Sequence, residues 1–189
     1  MATVTPARMS ADLEGDFVVF LIGMRINKPW KLHKWLPVAR AMGPMLRVLS
    51  RRKDLGLLGF TTWFGPNGPL LVQYWRSFAD LERFARDASL PHHEAWRRFN
   101  RRVGTDGDVG IWHETYAVRA GQHESVYVNM PVIGLAAAGA QIPVAVRGDS
   151  AGQRLRFAVR QRFVERQRFV ERQRFVERHG HHVPSTRDA

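Results

Sequence analysis

Apolar and polar positions along the chain alternate between two periods. FVVFLIGM, from Phe17, is almost unbroken apolar sequence, and it predicts a strand over 16–26 that is buried on both faces. NKPWKLHKWLPVARAMGPMLRVLSRRK follows with helical spacing. Asn27 is placed to cap this helix and Pro29 to sit near its first position. Pro37 and Pro44 are expected to break or kink it into short helices. Trp30, Leu36, Val38, Met42, Met45, Leu46 and Leu49 form its apolar side. LGLLGFTTWFG (55–65) and PLLVQYWRS (69–77) are strands joined by a PNG turn, so they predict a hairpin. In the second of these, Leu71, Gln73 and Trp75 point one way, and Leu70, Val72, Tyr74 and Arg76 the other. Ser77, with Asp80 three residues on, starts a helix whose stripe is Phe78, Leu81, Phe84 and Ala85. LPHHEAWRRFNRRVG extends the helical pattern, with His92, Trp96 and Phe99 on one face and Gly104 at its end. GDVGIWHETYAV (107–118) is a fourth strand, and HESVYVNMPV a fifth, edge strand ending at Pro131.

The order β-α-β-β-α-β is the ferredoxin-like split unit, an α+β fold with helices on one face of an antiparallel sheet. The other face needs cover, and in so small a domain the usual cover is a second copy, sheet against sheet. The expectation is a homodimer. Residues 1–15 are expected to be a flexible N-terminus, 16–133 the folded domain, 134–152 a linker, 153–178 an Arg-rich helical repeat and 179–189 a disordered end.

Composition narrows the chemistry. The 189 residues contain no cysteine, which excludes a disulfide scaffold, a thiolate nucleophile, a zinc finger and an iron–sulfur site. The start has no apolar core of signal-peptide type, and the longest weakly polar stretch, Val132 to Val146, is too short to span a bilayer, so the expected location is cytoplasmic. The net charge of +12 suggests nucleic acid, but 153–189 hold ten Arg against three Glu and one Asp, half of that excess. Neither nucleic acid nor membrane is the expected partner. QRFVER occurs three times from Gln161 to Arg178. Six residues turn a helix by about 600°, so successive Phe-Val pairs spread round the circumference and form no stripe. The repeat reads as a fraying helix, with a basic amphipathic partner or membrane helix as the alternative.

RINKPWKLHKWLPV, DLGLLG, LVQYWRSFADLERFARD, PHHEAWRRFNRRVG, GDVGIWHETY and VYVNMP, in this order, resemble the monooxygenase-like family named after a fumagillin-cluster enzyme, formerly a domain of unknown function. The resemblance runs from about Phe17 to Pro131 and implies the dimeric α/β-barrel superfamily. It implies fold more firmly than reaction, because one fold hosts many chemistries. A weaker resemblance links HHEAWRRF…IWHETY to haem-dependent aldoxime dehydratases of the same fold. It implies His92 as haem-iron ligand and His113 as distal group.

His113 shares a strand face with Val109, Ile111 and Thr115. It is either an acid/base group facing a hollow enclosed between two sheets, or a core histidine satisfied by one hydrogen bond. Arg25 and Asn129 are candidates to orient a substrate oxygen; the bland readings are a surface ion pair and a turn residue. Trp63, Trp75 and Trp112 either wall an aromatic pocket or belong to core and interface. No phosphate loop, nucleophile elbow or HExxH helix occurs. His113 and Glu114 point to opposite faces, so they do not join His92 in one metal triad. The expected activity is that of a monooxygenase-like enzyme without cofactor, acting on a hydrophobic or aromatic small molecule. The alternatives are a haem enzyme of dehydratase or peroxidase kind with His92 on iron, and a non-catalytic small-molecule-binding dimer.

Overall fold

The computed structural model describes residues 2–87 and 106–156 and the isolated positions 167, 171 and 174. Its centre is a four-stranded antiparallel sheet made of β2 (Phe17–Ile26), β3 (Leu57–Gly65), β4 (Gly68–Trp75) and β5 (Val109–Val118), in the order β3-β4-β2-β5. With α1 (Leu32–Arg51) between β2 and β3 and α2 (Phe78–Arg86) after β4, this is the ferredoxin-like α+β arrangement. The sheet is open; within one chain it does not close into a barrel.

Register sorts the side chains. Val18, Phe20 and Met24 of β2 share a face with Leu71 and Trp75 of β4 and with Val109 of β5. Val18, Leu57 and Trp75 pack there against Leu49 of α1 and against Leu81 and Phe84 of α2; Trp75 is 0% exposed. At the far end Met24 and Val109 meet Trp35, Val38 and Ala39 of α1. Those contacts explain why α1 runs unbroken through Pro37 and Pro44, against expectation. Each proline forfeits a backbone hydrogen bond, but the helix is held by what it packs on rather than by its own propensity. Trp30, expected on the apolar side, precedes the helix and is 73% exposed.

Asn27 does not cap α1, which starts after Lys31. Its Nδ2 donates instead to the Gly107 carbonyl (2.9 Å). Beside it, the buried Asp108 carboxylate takes Lys28 Nζ and Lys31 Nζ, each at 2.7 Å, and Lys34 Nζ reaches Asp106 at 2.8 Å. This cluster ties the entry of α1 to the start of β5. At α2 the expected cap is present: Ser77 Oγ accepts from the Asp80 amide at 3.1 Å. The Asp80 carboxylate in turn accepts from Arg76 Nε (2.8 Å), from Ser77 Oγ (2.9 Å) and from Arg83.

The stretches expected to be a flexible N-terminus and a linker are folded. β1 (Thr5–Asp12) is the middle of a second sheet, between β6 (Tyr127–Met130) and β7 (Ala140–Pro143). The expected fifth strand is therefore β6, but it pairs with β1 and not with the main sheet. Two short helices, α3 (Leu135–Ala138) and α4 (Val144–Arg147), flank β7, and residues 151–156 are helical. Ala11 of β1 and Leu135 and Ala136 of α3 pack on Phe17, Val19, Leu58, Tyr74 and Val118, which lie at one end of the main sheet's second face. Arg147 pairs with Asp12, and Arg154 Nε with Glu124 at 2.8 Å, so the C-terminal turns are tied to the small sheet. No helix among the described residues is long and apolar enough to cross a membrane. The QRFVER repeat, beyond those three isolated positions, lies outside the described residues.

The lysine cluster gives stability a pH sign. Hydrogen bonds from Lys28 and then Lys31 hold the Asp108 carboxyl well below the usual carboxylate range; Lys34 lowers Asp106, and Arg76 lowers Asp80. A carboxyl depressed on folding contributes stability that is present above its unfolded value of about 4 and is lost as pH falls through the folded value. Thermal melts between pH 7 and pH 2 are expected to show this acid loss. Asp108→Asn is expected to melt lower at pH 7 and to lose less on acidification; equal slopes for the two proteins would refute the assignment.

Candidate functional site

The three residues expected to act together do not meet. His113 is exposed on β5, the edge strand, opposite Ile22 and with its ring centroid 5.6 Å from that of Phe20. Phe20 packs with the helix-covered core, so the imidazole is on the helix side of the sheet and does not face an inter-sheet hollow. Arg25 is opposite Gly110, an odd number of positions away in register, and hence on the other face. It is exposed, and its Nε donates to Asn27 Oδ1 at 2.9 Å. Asn129 is in the second sheet, exposed, at φ 52° beside an irregularity in the β1–β6 register. There it relieves a strand distortion, since asparagine tolerates the left-handed region better than most residues. His92 lies outside the described residues. No group of three or more His, Asp or Glu able to hold a metal occurs among the described residues.

The tryptophans divide. Trp75 is core, its Nε1 donating to Gln73 Oε1 at 2.8 Å. Trp63 and Trp112 lie on the second face, 51% and 41% exposed, with Tyr116 nearby at 52%. Glycine at 23 is what admits Trp112: a Cβ there would collide with the indole lying across it.

A cavity of about 320 Å³ opens on this second face, where the main sheet meets β6. Thr61 and Trp63 of β3 and Val72 and Tyr74 of β4 form its floor; they are cross-strand neighbours on one face. Val126 to Val128, Met130, Ile133 and Gly134 form the opposing wall. The Gly134 amide donates to Thr61 Oγ1 (3.2 Å) and so fixes the wall to the floor, while within the outer layer the Ala136 amide donates to the Tyr127 hydroxyl (3.3 Å). Apolar side chains dominate, with the two phenols and Thr61 at one end. That is the usual chemistry of a small-molecule site, mostly apolar walls with a few placed polar groups. Burial and then the neighbouring Tyr127 phenol push the Tyr74 hydroxyl above the ordinary phenol range, so it stays protonated as a donor. Reading the sequence finds Trp63 but misses Thr61, Tyr74, Tyr127 and Gly134. The alternation of β4 puts Tyr74 on the right face, but no local signal says that β6 crosses over to meet it.

The family model for monooxygenase af470-like proteins matches residues 17–135. The chain belongs to the monooxygenase af470-like family. The matched stretch contains the whole cavity lining and leaves out β1 and β7. Monooxygenase af470 of Aspergillus fumigatus is 33% identical over 124 residues, which cover 61% of this chain and 44% of that protein. The chain thus spans less than half of that relative's length. Two solved structures resemble the chain at lower similarity. A dimeric ferredoxin-like protein of unknown function from Jannaschia sp. CCS1 is 15% identical with a TM-score of 0.42, covering 54% of this chain and 99% of that one. SnoaB from Streptomyces nogalater, described as a cofactor-independent oxygenase, is 15% identical with a TM-score of 0.39, covering 55% and 94%.

Because His113 and the cavity lie on opposite faces, His113→Ala is expected to leave ligand binding in the cavity within roughly twofold of wild type. Val72→Trp, which fills the floor, is expected to weaken binding by roughly tenfold or more. Equilibrium dialysis of 1-naphthol against each protein measures both; the reverse ranking would move the site to the helix side.

Proposed function

We propose that this chain is a monooxygenase-like enzyme acting on a hydrophobic or aromatic small molecule, and that it works as a homodimer. Family membership supports the reaction class. The observation that carries the substrate class is the apolar, aromatic-walled cavity between the main sheet and β6, whose lining falls wholly within the family's matched residues. A volume of about 320 Å³ suits a ligand of two or three fused rings.

Dimerisation follows from the same face. β1, β6 and α3 cover one end of it, and Trp63, Trp112 and Tyr116 stay exposed beyond them. Large aromatics exposed on one sheet face make the kind of surface that proteins bury against a partner. A second copy related by a two-fold axis would bury the tryptophans and shield the mouth of the cavity from water. The proposed reaction needs no resident cofactor, because the substrate itself supplies the electrons: one atom of O2 enters the ring as a carbonyl oxygen, and the other leaves as water with two hydrogens taken from the substrate. The haem alternative depends on His92, and the absorbance spectrum of the purified protein decides it: no Soret band is expected.

The test of activity is oxygen uptake in the presence of 1-naphthol and 1-tetralone, with and without added reduced nicotinamide, using ¹⁸O₂ and mass spectrometry of the products. One labelled oxygen atom per product molecule is expected. Binding of both compounds with no oxygen consumed under any condition would reduce the protein to a ligand-binding dimer. Separately, Trp112→Glu is expected to shift the protein from dimer to monomer in sedimentation analysis; a wild-type monomer would remove the dimer from the proposal.

A further inference from the structure

The polar end of the cavity has a selective geometry. Gly134 sits at φ 63° and ψ −136°, a backbone conformation essentially reserved for glycine. The direction its missing Cβ would take points between two phenols: a carbon placed there would be 3.4 Å from the Tyr127 hydroxyl and 3.6 Å from the Tyr74 hydroxyl. A Cβ there would meet both hydroxyls at ordinary van der Waals distance, so it is the backbone angles that call for glycine. The two hydroxyls converge on a notch in front of this residue.

The two hydroxyls are not equivalent. Tyr127 already accepts from the Ala136 amide, and Thr61 Oγ1 accepts from the Gly134 amide. Tyr74 is half-buried on β4, held between Val19 and Gly59 in register, and its hydroxyl makes no hydrogen bond to another described residue. Around it the lining is Trp63, Val72, Val128, Met130 and Ile133. A ligand that covers this hydroxyl strips it of water, and one that brings an acceptor recovers that cost. An analogue without the acceptor leaves the donor stranded and is rejected, the strongest kind of discrimination that a small pocket can make.

Resting on the cavity as the ligand site, we infer that Tyr74 is its specificity-determining residue and that the ligand is a ring system bearing one acceptor oxygen, a ketone or phenolic oxygen, which enters the Gly134 notch and receives the Tyr74 hydrogen bond. The ring body lies along Trp63 and Val72. Tyr127 and Thr61 shape the notch, and Tyr74 reads the oxygen.

The test compares 1-tetralone with tetralin, which differ by the ketone oxygen alone. Equilibrium dialysis gives the affinity of each for wild type and for Tyr74→Phe, a substitution that removes only the hydroxyl. The wild-type preference for the ketone is expected to fall roughly tenfold in the variant, with tetralin binding unchanged. The infrared carbonyl stretch of bound 1-tetralone is expected at lower frequency in wild type than in an apolar solvent, a reading that needs no variant. If both compounds bind but the preference survives Tyr74→Phe, or the carbonyl stretch is unshifted, the inference fails and the cavity stands. If neither compound binds wild type, the cavity reading fails and takes the inference with it.

Discussion

A sheet has two faces, and each must be covered by something. In this chain α1 and α2 pack on one face of the β3-β4-β2-β5 sheet through two core clusters, one around Trp75 and Leu49 and one around Met24 and Val109. Among the described residues, the second face is only partly covered. The small sheet and α3 press on its Phe17 and Val118 end and stop there. The cavity lies where that cover stops, because β6 stands over the floor without filling the space between them. Trp63 lines it and Trp112 lies beyond it, both exposed. Site and proposed dimer surface thus have one origin, a sheet face longer than the cover that the described residues give it.

Polar interactions fix the parts around that gap. Asp108 with its two lysines closes one corner of the main sheet against α1, and Asp80 with Arg76, Ser77 and Arg83 closes another against α2. Each is a buried carboxylate with several donors, the arrangement in which a charge tolerates burial. In the outer layer the buried partner is the arginine instead, Arg147 with Asp12 and Arg154 with Glu124. The bond from the Gly134 amide to Thr61 joins that outer layer to the cavity floor, so the site depends on both layers.

Local pattern made much of this legible. The apolar run of β2, the hairpin at Pro66 and Asn67, the Ser77 cap and the alternation that separates Trp75 from Tyr74 are all visible within a dozen residues. Harder to read was any element whose partner is remote. β1 has a proline and a weak apolar face of Ala, Met and Thr, so it reads as a tail; what makes it a strand is pairing with residues more than a hundred positions away. The prolines in α1 read as breaks because their cost is local, whereas the packing that offsets it is not.

The candidate site shows the same division. The family resemblance and the aromatic content of the strands are properties of the sequence, and the first of them places the chain in the monooxygenase af470-like family. Sequence also determined the strand order of the split unit and which side chains alternate. Only the tertiary structure decided which face of the sheet is free, and so it separated His113, Arg25 and Asn129 and brought Thr61, Tyr74, Tyr127 and Gly134 together. The physical reason is that alternation divides a strand into two faces but does not say which will be covered; that depends on strand crossings and long-range pairings, for which no short stretch of sequence carries a local signal.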